Sequence, residues 1–187
     1  MRLPWFKSRL ERRFAAELLP HADALYGFAL KLSRSPADAD DLVQDTMLKA
    51  YSALDRTPED SHYKGWLFTI LRNTWLSRMR RDGRVELCAE TPEPISSGPA
   101  ETHAPNAPFD DVVQAALARL PEPQRTAVLL CDVEELPYDE IARVLGCPIG
   151  TVRSRIFHGR RQLRAILETY ARDQGVLRHG VQTLSSS

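Results

Sequence analysis

Where apolar positions repeat along this chain, they repeat with the period of a helix. Phe14, Leu18, Ala22, Leu25, Ala29 and Leu32 step by four, four, three, four and three residues, which is one helical face. Pro20 falls within that face. Proline lacks the N–H and crowds the carbonyl four residues back, so a kink, or a short helix followed by a longer one, is expected. Ser35-Pro36 reads as an N-cap with proline at the first helical position, and Asp38 sets an acid in the first turn. The helix this starts, about 37–53, turns Ala39, Val43, Thr46/Met47 and Ala50 inward. A polar loop with Pro58 leads to a third helix near 64–81, with Leu67, Ile70, Leu71 and Thr74 as its buried face. Phe68 and Trp75 lie beside that face and read as core.

The pattern stops at 82–108. This stretch holds Pro92, Pro94, Pro99, Pro105 and Pro108, a Ser96-Ser97-Gly98 triplet and no apolar periodicity, which is the composition of a linker. Beyond it, 109–119 and 123–133 are helical candidates, and 138–145, 146–148 and 150–170 read as helix, turn, long helix. No stretch alternates with the period of two of a strand, and no internal repeat is visible. The expected fold is all-α: two small helical domains joined by a flexible Pro-rich linker, the second carrying a helix-turn-helix. The divisions are a basic and aromatic N-terminal arm at 1–14, a first module at 15–81, the linker, a second module at 109–170 and a tail at 171–187.

The 187 residues balance 25 Lys/Arg against 25 Asp/Glu, but the balance is local nowhere. Residues 1–81 carry 14 basic against 10 acidic side chains, 109–149 carry 3 against 8, and 150–170 carry 5 against 1. Two basic patches with acid between them suggest two points of contact with a polyanion. No apolar run reaches the length of a bilayer span, so no membrane insertion is expected, and the N-terminus lacks the apolar core of a secretory signal. Cys88, Cys131 and Cys147 fit neither a disulfide framework nor a CxxC metal site, pointing to a reducing, cytoplasmic setting. The five histidines are scattered, and no nucleophile, phosphate-loop or paired-histidine motif occurs. Catalysis is not expected, and neither is a cofactor.

Three constellations remain. In the second module, Ala142 supplies the small residue expected where two helices cross, and Gly146, four residues on, supplies the permissive backbone of the turn. Val152 and Ile156 then pack the following helix onto the first. Arg153, Ser154, Phe157 and His158 fall on the outward side, and Arg160, Arg161 and Arg164 extend a basic surface. A helix in the major groove reads bases with its N-terminal residues, so this face suits DNA; the plainer reading is a helical hairpin with solvated arginines. In the first module, Asp41 and Asp45 stand at i, i+4 with Gln44 between them. That patch reads equally as a helix start obeying the dipole rule and as a docking face for a basic partner. The third helix mixes Trp66, Phe68, Arg72, Trp75, Arg78, Arg80 and Arg81, the composition of a single-strand platform. Asn73 is the polar residue best placed on it to hydrogen-bond an extruded base.

In order and spacing these motifs resemble the extracytoplasmic-function sigma factors of the sigma-70 family in bacteria. The residues that carry the resemblance are Asp40-Asp-Leu-Val-Gln-Asp45, Gly65-Trp-Leu-Phe-Thr-Ile-Leu-Arg-Asn73, the Pro-rich linker, Leu120-Pro…Gln-Arg125 and Ile149-Gly-Thr-Val-Arg-Ser-Arg-Ile-Phe157. It implies sigma region 2 at 15–81 and sigma region 4 at 109–170. It further implies core RNA polymerase docking through Asp40, Asp41, Gln44, Asp45 and Met47. Recognition of the −10 element is implied for Asn73 and the loop 55–64, with His62, Lys64, Trp66, Arg72 and Arg80. Recognition of the −35 element is implied for Thr151, Arg153, Ser154, Phe157, His158 and Arg161, with Arg155 on phosphate. The partners so implied are core RNA polymerase, promoter DNA and an anti-sigma factor. The C-terminal tail resembles a subgroup that answers thiol-oxidative stress through a zinc-containing anti-sigma factor. Two positions depart from the family: Ser77 stands where an acid is common. His158 stands where arginine is frequent, making that contact weaker and pH-sensitive. The competing class is a conventional dimeric helix-turn-helix regulator, in which the acidic patch has no role and for which no dimerisation heptad is visible.

Overall fold

The structure is a computed structural model and describes residues 9–59, 61–81 and 109–173. The linker, residues 1–8 and the tail beyond residue 173 lie outside those described. Every described element is helical: α1 (Arg9–Arg13), α2 (Ala22–Ser33), α3 (Pro36–Leu54) and α4 (Tyr63–Arg81), then α5 (Phe109–Ala118), α6 (Glu122–Val128), α7 (Tyr138–Leu145) and α8 (Ile149–Asp173). The fold is all-α.

The interruption expected at Pro20 takes the form of a wide turn followed by a tight one, between a short helix and a longer one. A π-helical turn, Phe14–Leu18, runs into a 3-10 turn, Leu19–His21, before α2 begins. The proline sits where a short turn does not need its missing N–H. At the other end of α2, Arg34 adopts φ 60° and its N–H closes on Leu30 O at 2.8 Å. Ser35 then turns extended (φ −134°) and its hydroxyl accepts from Asp38 N at 3.3 Å, capping α3 as its sequence predicts. The buried stripe of α3 is Ala39, Leu42, Thr46, Ala50 and Leu54. Val43 and Met47, expected inside, are half-buried, because Leu42 and Leu54 hold the centre of the stripe. Along α4 the buried set is Tyr63, Gly65, Leu67, Phe68, Leu71, Thr74 and Trp75, and Phe68 meets Phe28 edge-on at 5.0 Å. Each fully buried Leu or Phe here contributes about 1.5–3 kcal/mol, which is why three helices suffice for a core.

The second module is built around α8. Gly146 ends α7 at φ 62°, and the N–H of Cys147 returns to Ala142 O at 3.1 Å, so the turn forms where its glycine predicts. Val152 and Ile156 are buried, also as expected. Ala142 is half-buried on α7, and a second small residue, Gly159, stands where α8 crosses α6. A Cβ there would stand 2.7 Å from Val128 Cγ2 and 3.4 Å from Gln124 O, so α6 and α8 approach to the limit that glycine permits. Gly159→Val forces branched atoms into that gap and is expected to cost roughly 1–3 kcal/mol. A thermal melt checks this; an unchanged Tm would mean that α6 yields without cost.

The two modules, expected to stand apart on a tether, pack together. Helix α4 of the first lies against α7 of the second. Glu134 and Glu140 are buried at 6% and 8% exposure, and both face α4.

Candidate nucleic-acid interface and partner-docking face

Helix α8 sorts its residues cleanly because its inner face is fixed by packing. With Val152, Ile156 and Gly159 turned inward, Arg153, Ser154, Phe157, His158 and Arg161 are exposed, and Thr151 is half-exposed at the first turn. Phe157 keeps 62% of its surface open, although it is the largest apolar side chain on the helix. It lies edge-on to His158 at 5.4 Å. Phe157 is therefore not a core position of this chain. Arg155 differs from Arg153: it is half-buried and donates from NH1 to Cys147 Sγ at 3.4 Å. Arg160, counted with the basic surface, is paired instead. It binds Asp132 through both guanidinium edges, Nε to Oδ2 at 3.0 Å among them, and that pairing holds its pKa above the ordinary value. Beside this pair, burial pushes the Cys131 thiol up. Arg164 is likewise occupied, by Glu168 at 2.7 Å.

On α4, Asn73 and Arg80 are exposed and Trp66 is half-buried. The other members of the −10 set meet the second module. His62 Nδ1 lies 3.1 Å from Glu140 Oε1. Lys64 Nζ donates to Glu134 O at 2.6 Å and stands 3.5 Å from Glu134 Oε2. Burial pushes the Glu134 carboxyl up, and Lys64 opposes that shift. Arg72 is half-buried and its Nε finds no partner among the described residues. Burial lowers its guanidinium below the ordinary value, with Glu122 acting against burial and Arg155 and Cys147 also in electrostatic reach. The helix expected to read the −10 strand therefore lies under the module expected to read −35.

The acidic end of α3 is only partly open. Asp40, Asp41 and Gln44 are exposed, but Asp45 is half-buried and its Oδ2 accepts from Arg78 NH2 at 2.5 Å. The same nitrogen donates to Asp41 O at 3.0 Å. Asp45 thus has an internal role, tying α3 to α4, that neither reading of the sequence supplied. Met47 is half-buried against the core. Leu48 is the residue the sequence reading passed over: it is 61% exposed and falls on the stripe of Asp41, Gln44 and Asp45 at i+7. Its signal was present as one apolar residue on an otherwise polar stripe. Among the described residues no three His, Cys, Asp or Glu side chains are grouped to hold a metal ion, and no helix is long and apolar enough to cross a membrane.

The described chain is two helical modules, one exposing a basic and aromatic helix face and the other an acidic helix face beside a helix of aromatics and arginines. Residues 19–85 match the family model of sigma-70 region 2, and residues 110–163 that of sigma-70 region 4. The chain is 40% identical over 156 residues to the ECF RNA polymerase sigma factor SigE of Mycolicibacterium smegmatis, covering 81% of this chain and 60% of that protein. It is 35% identical over 153 residues to ECF RNA polymerase sigma factor EcfG of Rhodopseudomonas palustris, covering 81% and 83%. The solved sigma factor RpoE of Bartonella quintana, in complex with the anti-sigma factor NepR, superposes with a TM-score of 0.69 at 35% identity, over 84% of this chain and 98% of that one. The chain belongs to the extracytoplasmic-function sigma factors of the sigma-70 family. It is an alternative sigma factor that directs RNA polymerase to promoters, and the dimeric regulator is not favoured.

Proposed function

We propose that this sigma factor docks on core RNA polymerase through the exposed stripe of α3, reads the −10 element with α4 and the loop before it, and reads the −35 element with α8. It supplies specificity and performs no chemistry itself. The observation that carries the reading is the partition of α8. Packing against α6 and α7 leaves Arg153, Ser154, Phe157 and His158 together in solvent at the N-terminal end of the helix, where a recognition helix meets base edges. In the first module, Asn73 is an exposed amide side chain on a helix of aromatics and arginines, which suits an unpaired base. Stress-responsive promoters and an anti-sigma partner follow from the class of the relatives; a zinc-containing partner rests on the tail resemblance alone.

Arg153 and Arg155 separate base reading from anchoring. They are two residues apart, rotated by roughly 200° on an α-helix, so they cannot address the same base. Arg153→Ala in the holoenzyme is expected to relax preference at one −35 position by about 1–3 kcal/mol. Arg155→Ala is expected to weaken all sequences alike and to reduce the salt dependence by about one phosphate contact. Run-off transcription and footprinting on single-base −35 variants at several salt concentrations measure both. Identical profiles for the two variants would reduce α8 to an undifferentiated electrostatic surface.

A further inference from the structure

Sequence reasoning left the N-terminal arm without a function, yet one of its residues holds the loop between α3 and α4. Arg13 closes α1 and reaches 41 positions along the chain, where NH1 donates to Leu54 O at 2.8 Å. Its NH2 donates to Thr57 O and, at 2.6 Å, to the hydroxyl of Tyr63. Tyr63 in turn donates to Pro58 O at 2.9 Å, and its ring lies 5.7 Å beneath the Arg13 guanidinium carbon. Three oxygens from the start, middle and end of the loop thus converge on one planar cation. Leu54 O, in the last turn of α3, also accepts from Thr57 N at 3.2 Å, so the guanidinium adds a second, charge-assisted bond that fixes the path of the chain beyond. One helical turn earlier, Arg9 NH2 meets Glu59 at 2.5 Å, but both side chains are largely exposed.

We propose that Arg13, acting with Tyr63, is the positioning residue of the base-reading loop. It sets the path of residues 55–59, and thereby the selectivity for an unpaired base, without touching DNA. The proposal rests on the −10 reading of that loop and of Asn73. A lysine at this position keeps the charge but cannot bridge three acceptors in one plane. A phenylalanine at position 63 keeps the ring and its packing but removes the hydroxyl that joins Arg13 to Pro58.

The test uses core polymerase with the full chain and forked promoter DNAs that carry each of the four bases at each unpaired −10 position. Arg13→Lys and Tyr63→Phe are each expected to flatten the preference for the best base over the worst roughly tenfold at one position, the scale of one lost base contact. Affinity for core polymerase and the −35 profile should stay within about twofold, because Arg13 bonds Leu54, Thr57 and Tyr63 and none of the exposed residues on α3 or α8. The double variant should lose little more than either single one, since both break the same network. Arg9→Ala, which removes only the exposed pair, is expected to leave base preferences unchanged. A loss spread evenly over all bases and positions, tracking a fall in Tm, would overturn the proposal and leave Arg13 a structural staple. Base preference altered by Asn73→Ala but by neither Arg13→Lys nor Tyr63→Phe would overturn it while sparing the −10 reading. Base preferences left unchanged by Asn73→Ala and by both loop variants would remove the −10 reading and this proposal together.

Discussion

A disulfide between Gly65→Cys and Glu140→Cys is expected to switch promoter-dependent transcription off, and its reduction to switch transcription back on. The geometry is at hand: a Cβ on Gly65 would stand 3.9 Å from the Cβ of Glu140, inside the range of unstrained disulfides. The same Cβ would stand 2.9 Å from Glu140 Oε2, so the native glutamate fills the notch that Gly65 leaves. The reason for the effect is what α7 covers. In the packed arrangement Lys64 is held by the backbone and carboxylate of Glu134, His62 by Glu140, and Arg72 lies half-buried in reach of Arg155 on the recognition helix. Glu134 and Glu140 occupy, as acids, the positions that promoter phosphates would take if α4 reads the −10 strand. If α4 reads the −10 strand, the modules must part before His62, Lys64 and Arg72 are free, and a covalent bond across α4 and α7 forbids it. The measurement is run-off transcription by holoenzyme carrying the double variant with Cys88, Cys131 and Cys147 changed to serine, oxidised and then reduced. Undiminished initiation by protein shown to be fully cross-linked would mean that promoter recognition does not require α4 and α7 to separate.

The contrast between what local signals specify and what they omit follows from the range of the interactions. Ser35-Pro36-x-Asp38 placed the start of α3, and Gly146 placed the turn before α8, because capping and left-handed backbone are decided within four residues. The inward positions Leu67, Leu71, Val152 and Ile156 were legible from periodicity for the same reason. The outward face of α8 followed by subtraction. The seam between modules was not legible. Nothing local marks Glu134 and Glu140 for burial, which follows from contact with Lys64, 70 residues away, and His62, on the far side of the linker. Asp45 was ambiguous because its partner, Arg78, lies on another helix. The close approach of α6 to α8 at Gly159 was not legible either, because Val128 and Gln124, which set it, lie about 30 residues away on another helix. Arg13 escaped notice because an arginine in a basic arm carries no sign of the three loop oxygens it will bind.

The exposed stripe of α3 yields the remaining large effect, and Leu48 is its sharpest probe. Asp41, Gln44 and Leu48 are open to solvent within two helical turns, so a basic partner groove would meet charge at one end and an apolar side chain at the other. An interface of this form concentrates its energy in the apolar anchor, while the charges set rate and orientation. Leu48→Ala removes that anchor without disturbing the core, because 61% of the side chain is already in water. The expected loss is about 2 kcal/mol, or roughly thirtyfold in affinity for core polymerase. Asp41→Arg is expected to abolish association by setting like charges together, with the larger share of the effect in the on-rate and a strong dependence on salt. Asp45→Asn behaves differently. It dissolves the tie to Arg78, a partly exposed pair worth about 0.2–1 kcal/mol of stability, so its effect should appear in the melt as well as in binding. Titrating labelled chain with core polymerase at two ionic strengths, alongside circular dichroism melts, distinguishes the three. If Leu48→Ala and Asp41→Arg both bind core polymerase with undiminished affinity while remaining folded, α3 is not the docking face, and the acidic cluster is left with its one demonstrable task, the bridge from Asp45 to Arg78.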